Sequence, residues 1–154
     1  MNNLKTILTG TFGVGKTSLF KRIINDVFEE KYITTIGVKV GKKEIDGQVF
    51  MVWDIAGEVA QDKIPPTYFL NAYRIFYVID LSRPNTFSSI LSDINFLQNT
   101  YDKADLCIIG NKIDLLTESD LLQTRLSMIP VSCNLLTSAK NGVGIEGLSK
   151  MLIK

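Results

Sequence analysis

The sequence of 154 residues contains no histidine. This absence removes the side chain that proteins use most often as a general base and as a zinc ligand. Any catalysis must therefore use a metal ion, carboxylates, substrate positioning or a donor such as lysine. The two cysteines, Cys107 and Cys133, match neither a zinc spacing nor a disulfide framework. Both are predicted to lie in interior strands, as small buried residues in a reducing compartment.

An excess of charge of either sign is also absent, since 17 Lys and Arg residues face 16 Asp and Glu residues. No net field therefore favours nucleic acid or an anionic membrane as a partner. The chain has no apolar run of about 18 residues, no signal peptide, and no prenylation or polybasic motif at residues 149–154. We expect one cytoplasmic domain over residues 1–154 without a membrane anchor, whether the chain is complete or part of a larger protein.

Residues 10–17 read GTFGVGKT and fit the phosphate-binding motif G-x-x-x-x-G-K-[ST]. Residues 4–9 before it have the apolar, β-branched composition of a strand, and apolar residues from Leu19 to Val27 recur at helical spacing. Glycines let successive backbone N–H groups point at phosphate oxygens, and the helix N-terminus adds its positive end. We therefore interpret this stretch as a phosphate loop rather than a glycine-rich turn with an accidental lysine.

The rest of the chain alternates between predicted strands and helices. Residues 38–45 and 48–55 are joined by Asp46-Gly47, which predicts an antiparallel hairpin. Residues 57–67 contain Pro65-Pro66, so they are predicted as a loop that becomes helical at or just after the prolines. Further strands are predicted at 74–81, 106–110 and 128–132, and a last helix at about 145–152. This pattern predicts the α/β fold of a P-loop NTPase, with a six-stranded, mixed, mostly parallel sheet and helices on both faces.

Ligands of such sheets bind at the carboxyl ends of the strands, so the residues there are candidates for a site. Four stretches qualify besides the phosphate loop: Thr35 before the hairpin, WDIAG at 53–57, NKID at 111–114 and TSAK at 137–140. A lone NKID is usually a polar turn. The order and spacing of the whole set make that interpretation remote.

Together these motifs resemble those of the Ras superfamily of small GTPases, over essentially the whole chain. TIGV at 35–38 and WDIAG at 53–57 are most similar to the Rab branch. The resemblance implies a molecular switch that binds GTP or GDP with Mg²⁺ and hydrolyses GTP. The residues that it implies for nucleotide binding are Gly13, Val14, Gly15, Lys16, Thr17, Ser18, Phe28, Thr35, Gly57, Asn111, Lys112, Asp114, Ser138, Ala139 and Lys140.

The resemblance implies that the base is guanine. Asp114 would accept two hydrogen bonds from the guanine ring N–H and exocyclic amine, a pattern that adenine cannot offer. Asn111 would hold the loops together, while the Lys112 stem and the Phe28 ring would lie on opposite faces of the base. The Ala139 N–H would meet the guanine carbonyl oxygen. The alternative of a P-loop kinase or ATPase is disfavoured by the NKID motif.

The resemblance also implies a metal site and a catalytic group. Thr17 and Thr35 would bind Mg²⁺ directly, and Asp54 would act through a water. Lys16 would stabilise the transferring charge, and Thr35 and the Gly57 backbone would sense the γ-phosphate. The implied catalytic residues are Lys16, Thr35, Gly57 and Glu58.

Glu58 departs from the family, which has a water-orienting glutamine at this position. A carboxylate can accept from the attacking water, but it cannot donate to the γ-phosphate and is repelled by it. We therefore expect slow hydrolysis. The less favoured interpretation is that replacing the glutamine by Glu58 has no effect on the rate of hydrolysis. Gln61 is a candidate substitute. The alternative function is a nucleotide-binding interaction module with negligible hydrolysis.

Phe12 is the second departure, because this loop position is small in most relatives. Two interpretations stay open. Its ring overhangs the γ-phosphate and crowds any arginine that a partner inserts, or it folds over neighbouring loops as a hydrophobic lid.

The resemblance to Rab proteins, followed position by position, also implies a surface for protein partners. Val40, Trp53 and Phe69 would form an exposed cluster with Ile64 nearby, and an exposed apolar cluster marks an interaction patch. An effector, an exchange factor and an activating protein are the partners that the resemblance implies.

Overall fold

The structure is a computed structural model, and it describes residues 3–26, 37–57, 60–116 and 118–153. Its strands are β1 (Leu4–Gly10), β2 (Val38–Ile45), β3 (Gln48–Ile55), β4 (Ala72–Asp80), β5 (Asp105–Asn111) and β6 (Leu135–Leu136). Its α-helices are α1 (Lys16–Asn25), α2 (Ile90–Thr100), α3 (Ser119–Ser127) and α4 (Ile145–Ile153). Among these described helices, none has the length and apolar character that crossing a bilayer requires.

The six strands form one sheet in the order β2-β3-β1-β4-β5-β6. Only the β2–β3 pair is antiparallel among the strand pairs of the described residues. The chain leaves β1 toward β3 on one side and then returns to β4 on the other. Ligands of open α/β sheets bind at such a reversal, beyond the carboxyl ends of the strands. The fold therefore places the loop after β1 in the expected crevice.

Helices cover both faces of the sheet because the central strands carry apolar side chains on both sides. On one face, Leu8 and Phe76 pack with side chains of α1 and α4 such as Leu19 and Leu148. On the other face, a second cluster contains Ile7, Ile75, Tyr77, Ile90 and Ile94, and residues of α3 pack against it. The predicted fold class is confirmed.

The predicted hairpin is confirmed, since its strands have the predicted bounds and pair from Val38–Ile55 to Ile45–Gln48. Its turn residues Asp46 and Gly47 have φ angles of 50° and 78°. Two positive φ angles define the type I′ turn, whose twist matches that of the strands it joins. The predicted helical turn at the two prolines is also present, as a 3₁₀ helix over Pro66–Phe69 that follows another over Gln61–Lys63.

The predicted strand at 128–132 is wrong. These residues form turns and bends, and the sixth strand is the two-residue β6 further along the chain. Pro130 has no N–H to give to a sheet, and Asn134 makes the first contacts with β5 through its backbone and side chain. Cys107 lies in β5 as predicted and is buried, whereas Cys133 lies outside the strands and is half-buried.

Candidate nucleotide-binding site

The phosphate loop, residues 10–17, forms the turn between β1 and α1. Gly10, Gly13 and Gly15 have φ angles of 142°, 74° and 101°, which side-chain-bearing residues rarely adopt. A Cβ atom on Gly10 would collide with the backbone of Val78, and one on Gly15 with the side chain of Asn111. The glycines therefore permit both the tight turn and the close approach of the neighbouring loops.

Lys16 begins α1 and turns its buried ammonium back over the loop. Its Nζ donates to the carbonyls of Gly10, at 3.1 Å, and Thr11, at 2.8 Å. Burial lowers the pKa of Lys16 to about 8, with the Asp54 carboxylate opposing this shift and the Arg83 charge adding to it. A phosphate anion in the loop would favour the charged form of this lysine.

Gly57 brings the loop after β3 against the phosphate loop. A Cβ atom at this position would collide with the Nζ of Lys16 and would lie 2.8 Å from the carbonyl oxygens of Gly10 and Thr11. Only a residue without a side chain fits there. The backbone of residue 57 therefore lies directly beside the lysine predicted to hold phosphate.

Thr17 and Asp54 lie side by side although 37 residues separate them in sequence. The Thr17 Oγ1 donates to Oδ2 of Asp54 at 2.6 Å, and the Asp54 side chain is fully buried. Adjacent hydroxyl and carboxylate oxygens are ligands that suit Mg²⁺, which usually takes its other ligands from water and phosphate. Within the described residues, no group of three or more His, Cys, Asp or Glu residues forms a protein-only metal cage.

Asn111, at the end of β5, links three loops. Its Nδ2 donates to the carbonyl of Val14 at 3.0 Å. Its Oδ1 accepts from Thr137 Oγ1 at 2.9 Å and from the Ala139 N–H at 3.3 Å. The buried amide thus fixes the phosphate loop relative to the TSAK stretch.

Lys112 and Asp114 extend these connections. The Nζ of Lys112 donates to the Gly13 carbonyl at 2.7 Å, across the top of the phosphate loop. Asp114 Oδ1 accepts from Ser138 Oγ at 2.8 Å, and the same Ser138 oxygen accepts from the N–H of Asn141 at 3.0 Å. The structure therefore brings the NKID and TSAK stretches together.

Arg22 on α1 is a residue of this region that the motifs do not reveal. Its Nε donates to the Ala139 carbonyl at 2.7 Å, and its Nη2 to that of Lys140 at 2.8 Å. Helix α1 is thereby connected to the backbone of the TSAK loop by two hydrogen bonds.

Asp80, the last residue of β4, and Arg83, three residues further on, are two more residues of this region that the motifs do not reveal. Arg83 donates to Asp80 Oδ2 through Nε at 2.7 Å and to the Phe12 carbonyl through Nη2 at 2.8 Å. No motif marks them. The rule that sites lie at the carboxyl ends of strands would have pointed to both, because β4 ends at Asp80.

Three predicted site residues, Phe28, Thr35 and Glu58, lie outside the described residues. Ser18 is half-buried in the first turn of α1. Phe12 is 44% exposed, and this exposure is compatible with both interpretations of its ring.

Gln61, the candidate substitute for a water-orienting glutamine, is buried. Its Oε1 accepts a hydrogen bond of 2.9 Å from Thr9 Oγ1. In this arrangement its carboxamide serves to attach the Gln61–Lys63 turn to β1.

The predicted exposed cluster for protein partners is wrong for Phe69 and for the neighbouring Ile64. Ile64 is 3% exposed and Phe69 is 2% exposed, and the Phe69 ring stacks on Tyr101 with centroids 4.4 Å apart. Val40 is 46% exposed, while Trp53 is half-buried beside Tyr68. Matching the sequence to Rab proteins position by position could not show that the turn at the prolines packs these two side chains into the core.

The fold and the loops at the edge of its sheet define a P-loop protein of the Ras-like GTPase class. Comparison with known proteins gives the family: residues 5–114 match the family described as "Ras of Complex, Roc, domain of DAPkinase". The chain belongs to this Roc family of Ras-like domains, and its predicted similarity to the Ras superfamily and its Rab branch is confirmed.

Two similar proteins are of the Rab type. The GTP-binding protein yptV2 of Volvox carteri is 33% identical over 117 residues, which cover 73% of this chain and 54% of the relative. The Ras-related protein Rab-18-B of Danio rerio is 34% identical over 120 residues, which cover 74% of this chain and 58% of the relative. The match thus spans little more than half the length of these curated relatives.

Proposed function

We propose that the chain is a guanine-nucleotide switch that binds GTP or GDP with Mg²⁺ and hydrolyses GTP slowly. The observation that carries this proposal is the set of hydrogen bonds in which Asn111 donates to Val14 and accepts from Thr137 and Ala139. These bonds hold a phosphate loop and two base-recognition motifs in one crevice, as a nucleotide with its phosphates and base requires. The name of the relative yptV2, a GTP-binding protein, supports the same choice.

Guanine is the proposed base because of the position of Asp114. Its carboxylate is oriented by Ser138, which keeps one oxygen in a fixed direction. Ionised carboxylates only accept hydrogen bonds, and guanine offers two adjacent donors where adenine does not. The backbone N–H of Ala139, beside Asn111, is the proposed partner for the guanine carbonyl oxygen.

Mg²⁺ is the proposed metal, held by Thr17 and, through a water, by Asp54. When bound, the ion neutralises charge that develops on the phosphates. Lys16 would give up its bonds to the loop carbonyls and hold the phosphates, while Gly57 would present its backbone to the γ-phosphate. Thr35 is the proposed second protein ligand.

Slow hydrolysis is proposed from Glu58. A carboxylate cannot donate a hydrogen bond to the transferring phosphate, and the nearby glutamine, Gln61, is buried against Thr9. The same burial favours a second candidate function, a module that binds nucleotide and hardly hydrolyses it. As a switch, the domain would contact an effector, an exchange factor and an activating protein.

The two candidates are separated by the fate of bound GTP. The protein is purified gently, its nucleotide is identified by chromatography, and the conversion of bound GTP to GDP is followed over time with ATP as a comparison. Slow conversion supports the switch, and no conversion over many hours supports the binding module. Retention of ATP in place of GTP would contradict both.

The role of Glu58 is tested by single-turnover hydrolysis in Glu58→Gln. In the proposed mechanism the variant would supply the hydrogen-bond donor to the γ-phosphate that a glutamate lacks. Single donors of this kind change rates by about 100-fold or more, so we expect at least a tenfold faster reaction. Glu146→Gln, which removes an exposed carboxylate from α4, is the matched control. An unchanged or slower rate in Glu58→Gln would show that the glutamate does not limit hydrolysis.

A further inference from the structure

Three consecutive carbonyls of the phosphate loop are held from outside by side chains. The three bonds are Arg83 Nη2 to the Phe12 carbonyl at 2.8 Å, Lys112 Nζ to the Gly13 carbonyl at 2.7 Å, and Asn111 Nδ2 to the Val14 carbonyl at 3.0 Å. A trans peptide unit is planar, with its C=O and the following N–H on opposite sides. Each bond therefore aims the next N–H, that of residue 13, 14 or 15, away from its side chain.

Lys112 and Asn111 belong to the NKID motif, whereas Arg83 belongs to none. A single carboxylate connects Arg83 to this set, because Asp80 Oδ2 lies 2.7 Å from Arg83 Nε and 2.9 Å from Lys112 Nζ. The other oxygen, Oδ1, accepts from the N–H and the hydroxyl of Ser82, at 2.9 and 2.5 Å. The fully buried Asp80 thus fixes two cations that bind neighbouring carbonyls.

The Arg83 guanidinium uses its shape as well as its charge. Its planar fork reaches Asp80 with one nitrogen and Phe12 with another, which a lysine ammonium on a single stem does not reproduce. Its Nη2 also lies only 3.2 Å from the point where a Cβ of Gly13 would be. The group is therefore packed directly against the peptide unit between residues 12 and 13.

We propose that Arg83 is a positioning residue of the phosphate loop, which holds the Phe12 carbonyl outward so that the N–H of Gly13 points at the bound phosphate. The inference rests on the proposed nucleotide binding by this loop. Arg83 lies outside the motifs. In this proposal the direction of the N–H of residue 13 depends on Arg83, whereas the N–H directions of residues 14 and 15 depend on Lys112 and Asn111.

The test compares Arg83→Gln and Arg83→Lys with the wild type and with Lys150→Gln, which removes an exposed positive charge from α4. Release of a fluorescent GDP is measured, and amide proton–nitrogen correlation spectra are recorded with and without GDP. Because both Arg83 variants lose the bridge between Asp80 and Phe12, we expect both to release GDP about tenfold faster, with Lys150→Gln unchanged. The shift of the Gly13 amide on GDP binding should fall in both variants, while that of Gly15 stays.

Two results would overturn the inference alone: release from Arg83→Lys at the wild-type rate, which would make charge sufficient, or an unchanged Gly13 shift in the variants. A wild-type protein that binds no GDP would instead overturn the proposed function, and the inference with it. The Arg83 side chain is 38% exposed, so the variants are expected to fold, which thermal unfolding verifies. Should Arg83→Gln fail to fold, Arg83→Lys decides by the same two measurements.

Discussion

At the scale of single residues, Asp114 carries the proposed choice between guanine and adenine. We expect Asp114→Ala to lower the affinity for GDP by at least about 100-fold, since two hydrogen bonds to a charged acceptor are lost. Affinity for ADP should stay as weak as in the wild type. Titration calorimetry with both nucleotides measures this.

The matched control for Asp114→Ala is Asp102→Ala, which removes an exposed carboxylate from the turn after α2. Ser138 loses its partner in Asp114→Ala, so thermal unfolding must show that the variant is folded. An equal loss of GDP affinity in the control, or a wild type that binds ADP as tightly as GDP, would contradict the role of Asp114.

The residues that the sequence could predict are those with fixed spacing in short motifs. Lys16 and Thr17 lie in one such motif and Asn111 in another, and the structure brings them into one crevice. Arg22 and Arg83 act through contacts with residues 117 and 71 positions away, respectively, and such contacts have no local pattern. The contacts themselves are therefore visible only in the folded structure.

At the scale of elements, the same distinction separates the hairpin from β6. The β2–β3 turn is specified by Asp46-Gly47 itself, because these two residues tolerate the positive φ angles of a type I′ turn. The two residues of β6 carry almost no local signal. Their place is fixed by pairing with Ile109 and Gly110 of β5, so sequence alone put the strand too early.

The turn after the WDIAG stretch is attached to β1 by the Thr9–Gln61 hydrogen bond. Both side chains are buried, so Thr9→Val should leave the Gln61 oxygen without this donor at a cost of about 1–2 kcal/mol in the free energy of unfolding. In the double variant Thr9→Val/Gln61→Leu, apolar groups replace both partners, and most of the loss should be recovered. Denaturant unfolding at saturating GDP measures both.

A Thr9→Val protein as stable as the wild type would show that this bond does not hold the turn. A double variant that is less stable than the single one would show that Gln61 has polar partners beyond Thr9. Hydrolysis rates of the same proteins report whether Gln61 takes part in the reaction, because release of the turn would free its carboxamide.

The contact between β4 and α2 predicts a pH dependence. Tyr77 donates to Asp93 Oδ2 at 2.6 Å. Burial raises the pKa of Asp93 from its ordinary value of 3.8, because it outweighs the opposing hydrogen bonds from Tyr77 and Ser89, and the charge of Asp62 adds to the rise. The native state thus binds this proton more tightly than the unfolded state, so stability falls as pH rises from the ordinary value through the raised one. Asp93→Asn keeps an acceptor for Tyr77 but does not titrate.

We therefore expect the wild type to lose stability relative to Asp93→Asn as pH rises from about 3 to 7. Denaturant unfolding of the two proteins across this range gives the difference, and Asp102→Asn serves as the control for an exposed carboxylate. A difference that stays constant with pH, or one that changes in the opposite direction, would show that burial does not raise the pKa of Asp93.

At the scale of the whole molecule, the site depends on both halves of the sheet. The phosphate loop follows the central β1, while Asp54, the residue proposed for the metal, comes from β3 and Asn111 comes from β5. The strands that carry these residues are covered by two apolar cores, one on each face. Because one continuous sheet positions all of these loops, we expect the loops to unfold together with the sheet.

This dependence predicts one cooperative unfolding transition for residues 1–154, shifted by nucleotide. GDP at 100 times its Kd should stabilise the protein by about 2.7 kcal/mol, which for a domain of this size raises Tm by about 5–11 °C. ADP at the same concentration should leave Tm unchanged, because adenine does not offer the Asp114 carboxylate the two adjacent donors that guanine does. Calorimetry with each nucleotide measures the shifts. Two separate transitions, with only one moved by GDP, would mean that the site is built on part of the sheet and that the chain does not unfold as a single domain.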